Sequence, residues 1–169
     1  GYSLALQNNR LIVGCPNEGF TGSVYIFDRV GTVWSEKTVF THTNSDLFDY
    51  FGAAVGIHSS TIAIGAVFED SNSTTINAGQ DINVLDYNAG AIYLVDYDGS
   101  TLSNWNYIKP PDSASWDVFG VKLKIVGSTL IGTSEYNHNG FSNAGAAYIF
   151  KNNSGQWSFE NILLPSIQT

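Results

Sequence analysis

Three times along this chain the same order of residues returns: an apolar strand, a short polar turn, a second apolar strand closing on glycine, and a glycine-led strand with tyrosine fourth. A repeat of this kind constrains the fold more than any single motif, because one unit cannot bury its own apolar face and must stack on a neighbour. The fullest copy runs from Phe51-Gly52-Ala53-Ala54-Val55 to Thr61-Ile62-Ala63-Ile64-Gly65-Ala66. Another runs from Phe119-Gly120-Val121 to Leu130-Ile131-Gly132-Thr133, and a third from Gly1 to Gly14-Cys15-Pro16, with no aromatic residue ahead of Gly1. Tyr25, Tyr93 and Tyr148 hold matching places in the glycine-led strands, and Trp34, Trp105 and Trp157 follow them. The linkers also match, Ser45 to Gly52 against Ser113 to Gly120, which places the units at 1–50, 51–118 and 119–169.

Inside each unit the apolar residues alternate with period two, the signature of strands rather than helices. Tyr2, Leu4 and Leu6 alternate with small residues, Asn8-Asn9 suit a tight turn, and Pro16 stops the second strand. Val24 to Phe27 and Val33 to Phe40 complete a four-stranded antiparallel unit. The second unit carries an insertion, 67–89, long enough to be functional, whose Ile82, Val84, Leu85 and Tyr87 are expected to pack on their own unit. In the third unit Lys122 and Lys124 occupy the face where the others have Ser3 and Ala5, or Ala54 and Gly56, and solvated lysines lining a central channel are expected.

Phe51-Gly52 and Phe119-Gly120, with Gly14-Cys15-Pro16, Gly65-Ala66-Val67 and Gly132-Thr133-Ser134, resemble the FG-GAP repeat, the blade unit of the integrin-alpha type β-propeller. The resemblance implies an all-β fold of three four-stranded blades. Closed propellers use about 4–8 blades, so the chain is expected to be part of a larger propeller completed by further blades of the same chain or by other copies. The absence of methionine, and a first residue inside a repeat, fit a piece of something longer. The phenylalanines are expected to plug the gaps between blades, the glycines to allow close backbone approach, and the repeated Tyr and Trp to pack blade on blade. The resemblance also implies extracellular adhesion or scaffolding. Integrin-like propellers hold calcium in an Asp-rich loop between the first and second strands of a blade, but here those positions read Gln7 to Arg10, His58 to Ser60 and Val126 to Ser128, without a carboxylate. No cofactor and no metal site are therefore carried over, although Glu69, Asp70, Asp81 and Asp86 could hold a loop calcium. Asp96-Tyr97-Asp98-Gly99 reads as a hairpin turn.

A net charge of −8 with only seven scattered Lys and Arg speaks against a nucleic-acid partner. No apolar run is long enough for a membrane span. Cys15 reads as a small buried side chain, and His42, His58 and His138 lack metal-ligand spacing. Asn72 and Asn152 start glycosylation sequons expected in loops, favouring a secreted or cell-surface protein.

Strand alternation sends the links 1–2 and 3–4 to one edge and the longer links 2–3 and 4–1 to the other. Glu18, Asp46, Asp49, Glu69, Asp70, Asp81, Asp86, Asp112, Asp117 and Glu135 all fall on the long-loop edge, and all but Glu18 are the candidate ligand-binding residues. Only Lys109 is basic there. The function expected is a non-catalytic extracellular module that binds a protein or glycan through this acidic edge. The alternatives are a carbohydrate-active enzyme or lectin using carboxylates and aromatics, and a filament subunit joined through blade edges.

Overall fold

The computed structural model describes residues 1–43, 46–78, 87–137 and 144–166. Its strands are β1 Ser3–Gln7, β2 Arg10–Cys15, β3 Ser23–Val30 and β4 Val33–Phe40; β5 Phe51–His58, β6 Thr61–Ala66, β7 Ala91–Tyr97 and β8 Leu102–Ile108; and β9 Lys122–Val126, β10 Thr129–Ser134, β11 Ala146–Asn153 and β12 Gln156–Leu163. Each run of four forms one antiparallel sheet in chain order, and each sheet lies inside one of the sequence units. Asn8, Ser59 and Gly127 open the three first turns at positive φ (54°, 55° and 58°), as two-residue hairpins require.

The sheets stack face to face, with β5 packed on β1 and β2 on one side and on β9 on the other. Two apolar cores result. One joins Ile12, Val24 and Ile26 of the first sheet to Phe51, Val55, Ile62, Ile64 and Tyr93 of the second. The other joins Ala63, Ile92 and Leu94 of the second to Phe119 of the linker and to Ile125, Leu130, Tyr148 and Phe150 of the third. Each sheet thus has a forward face, toward the next sheet in sequence, and a rear face. Covered on both faces, β6 and β7 of the middle sheet read as continuous apolar runs, whereas β1 alternates in burial.

Phe51 and Phe119 are fully buried, and their rings meet Tyr93 and Tyr148 edge-on at 5.5 Å in both cases. Phe119 lies outside a strand, joined to Gly90 by an isolated bridge. A Cβ on Gly14 would overlap the carbonyl oxygen of Gly52, and one on Gly65 that of Gly120, so the forward face needs glycine where the next linker crosses it.

The register departs from the sequence alignment in the third unit. Gly14 pairs with Ser3 and Val24, and Gly65 with Ala54 and Ile92, but the residue pairing with Lys122 and Ala147 is Thr133, not Gly132. Gly132 sits one place earlier, opposite Tyr148, where a Cβ would crowd the Phe119 ring. Trp105 is displaced too. Trp34 and Trp157 share a register, opposite Arg29 and Asn152, but Trp105 lies beside the bulge between Leu94 and Asp96, and its ring stands 5.9 Å from Phe40 of the first sheet. Asn72 lies exposed in a loop, but Asn152 lies in β11, where its Oδ1 accepts the Gly155 N–H and closes the hairpin. The described part of the insertion returns along β8: Asn77 exchanges backbone and side-chain hydrogen bonds with Tyr107. Ile82, Val84 and Leu85 lie outside the described residues, and Tyr87 is exposed. Lys122 and Lys124 are exposed on the forward face of the third sheet. No helix among the described residues is long and apolar enough to cross a membrane.

Candidate functional site

The antiparallel order sends the 2–3 loops and the sheet-to-sheet linkers out of one edge, where backbone hydrogen bonds stitch them together. Phe48 N–H donates to Phe20 O (2.7 Å), Phe68 N–H to Asp49 O (3.2 Å), Trp116 N–H to Tyr87 O (2.7 Å) and Tyr136 N–H to Asp117 O (3.4 Å). The linkers are held in an unfavourable backbone. Phe48 and Trp116, at the same place in the two linkers, have φ of 77° and 70°, and Tyr50 and Val118 have φ of 56° and 55°. For such bulky residues a left-handed backbone costs about 1–3 kcal/mol each, and strain of this kind collects at functional sites. The rings stay mostly in water: Phe48 and Trp116 are each 57% exposed. Phe20, Tyr87 and Tyr136 stand exposed on the same edge, and Phe20 meets Phe48 edge-on at 6.0 Å.

The acidic residues divide between structure and surface. Asp49 and Asp117 are buried, and each closes its own linker by accepting a backbone N–H, from Asp46 (2.8 Å) and Ala114 (3.0 Å) respectively. Burial, reinforced by the charge of Glu69 and opposed by the bond from Asp46, pushes the Asp49 carboxyl up to about 7. Glu69 is buried against Lys109, whose Nζ donates to its Oε2 (3.0 Å) and to Gly90 O (2.9 Å). Its other oxygen accepts the Ser71 N–H (3.1 Å).

Glu69 lies three residues beyond the end of β6. The corresponding residues are Glu18, which accepts from Tyr25 Oη (2.6 Å), and Asn137, which donates to Tyr148 Oη (2.6 Å). Asp70 is half-buried and accepts the Asn88 N–H (2.6 Å), and Asp112 is half-buried. Glu18, Asp46 and Glu135 are exposed beside the aromatic rings, while Asp81 and Asp86 lie outside the described residues.

Neither a calcium cluster nor a histidine site is assembled among the described residues, which hold no group of three or more His, Cys, Asp or Glu able to grip a metal. Asp98 instead closes its hairpin, accepting the N–H groups of Ser100 and Thr101 (2.7 Å each), bonds that hold its carboxyl well below the usual range. His42 packs 4.4 Å from the Tyr93 ring, and burial lowers its pKa. The opposite, short-turn edge carries basic residues: a groove of about 550 Å³ there is lined by Arg10, Arg29 and Lys37 together with Asp28. Arg10 grips Asp28 with two bonds (2.8 and 2.9 Å) and lies 4.6 Å over the Tyr97 ring.

The arrangement therefore offers an edge of exposed rings and carboxylates. The sequence points to the acids rather than to the rings, although Phe48 and Trp116 stand in matched linkers one residue before the repeated aspartate. No protein-family model matches the chain, and neither does any curated protein.

Proposed function

We propose that the three stacked sheets are blades of an FG-GAP-type β-propeller acting as a non-catalytic, extracellular interaction module. The long-loop edge is its binding surface. The observation that carries this reading is the pair of exposed rings, Phe48 and Trp116, held on left-handed backbone at one repeat position. A chain that accepts strain to keep apolar rings in water has a partner for them. Aromatic rings supply contact area at low entropic cost, and the neighbouring Asp46, Glu18 and Glu135 favour cationic or hydroxyl-rich groups. The ligand class is a protein or a glycan.

The double variant Phe48→Ser/Trp116→Ser is the test, screened with the parent chain on a glycan array and on immobilised extracellular proteins of basic surface. Ligands that bind the parent should lose at least tenfold in affinity while the melting temperature holds or rises. Ligands that bind both chains equally would overturn the assignment of this edge.

A further inference from the structure

The two outward faces of the stack differ in a way that bears on what can cover them, whatever binds the long-loop edge. On the rear face of the first sheet, Leu4 and Tyr25 flank Val13 as Val55 and Tyr93 flank Ile64 in the second sheet. The second-sheet residues are buried under the first sheet, but Leu4 and Leu6 are 69% and 63% exposed. Trp34 is exposed as well, whereas Trp157, at the same register, packs on the core between the second and third sheets.

The forward face of the third sheet is of another kind. At both junctions that face carries glycine, Gly14 or Gly65, where the next linker's carbonyl lies, with Ser3 or Ala54 as its cross-strand partner. Gly56 is packed so tightly that a Cβ would stand 2.8 Å from Leu123 Cδ1. The third sheet has Thr133, Lys122 and Lys124 at these positions. A threonine in place of that glycine puts side-chain atoms where a linker carbonyl must pass.

We propose that the rear face of the first sheet is a docking face for a further four-stranded sheet of this same repeat. That sheet presents glycine at the Gly14 and Gly65 position and residues no larger than serine or alanine at the positions of Ser3 and Ala5. It is carried by polypeptide other than a second copy of residues 1–169, because Thr133, Lys122 and Lys124 bar the third sheet of a copy from the role. The stack is thus directional: it extends at the first sheet and does not extend head to tail with itself.

Light scattering across a concentration series tests this with residues 1–169. The parent should keep the monomer mass. The variant Lys122→Ser/Lys124→Ala/Thr133→Gly turns the third sheet's forward face into a copy of the first sheet's, and should at least double in mass at micromolar concentration. Adding Leu4→Asp should return it to monomer. A second version with a phenylalanine ahead of Gly1 supplies the ring that Phe51 and Phe119 provide at the existing junctions. If the triple variant melts early, the series is run at a temperature where circular dichroism shows it folded. Folded variants that stay monomeric with and without the added phenylalanine would overturn the docking face. A parent chain that polymerises, and is dispersed by Leu4→Asp, would overturn the bar on self-stacking.

Discussion

At the junction between the first and second sheets the linker aspartate Asp49 lies beside Glu69, itself paired with the buried Lys109. At the next junction Asp117 closes its linker in the same way, but the loop it meets carries Asn137, bonded to Tyr148, where the other has glutamate. Both junctions share the buried phenylalanine, the edge-on tyrosine and the glycine contact across the sheets. The common apolar frame therefore holds the stack, and the ion pair is a local addition within the second unit. A buried ion pair is weak support for stability but costly to break by half.

The broadest test of that division removes the shared part. Phe51→Ala and Phe119→Ala should each cost about 4 kcal/mol in urea denaturation, and a large gap between them would show that the frame is not equivalent. Next, Lys109→Ala should cost about 3 kcal/mol, because it strands the Glu69 carboxylate in the core. The double variant Glu69→Asn/Lys109→Leu makes this junction as neutral as the other and should recover most of that loss. Asn137→Ala removes the neutral bond to Tyr148 and should cost about 1–2 kcal/mol.

A pH series sharpens the contrast further. The folded state holds the Asp49 proton up to about pH 7, whereas the unfolded chain releases it near pH 3.8. Stability should therefore fall as pH rises across this window, by at most about 1.4 kcal/mol per pH unit, and level off on either side. Asp49→Asn should remove this slope in thermal melts. At the rim of the first junction, Arg10→Ala breaks a partly exposed ion pair with Asp28 and a contact with the Tyr97 ring, and should cost about 1 kcal/mol.

Much of this was legible in the residues. The period-two alternation, the three units and the buried Phe-Gly pairs follow from local pattern, because a strand's two faces are written in consecutive residues. The candidate edge was legible as a set of loops and acids. Its inner organisation was not, since Lys109 and Glu69 are 40 residues apart and their pairing depends on how β8 returns past the 2–3 loop.

The sequence by itself determined strands, their grouping in fours and the apolar frame, all of which depend on neighbours in the chain. The tertiary structure alone decided that Thr133 rather than Gly132 stands at the glycine position, that Trp105 sits beside a bulge, and that Phe48 and Trp116 point their rings into water on left-handed backbone. The physical reason is common to the first two. A one-residue shift in register exchanges the two faces of a strand, and only the sheet packed against it settles which face is buried.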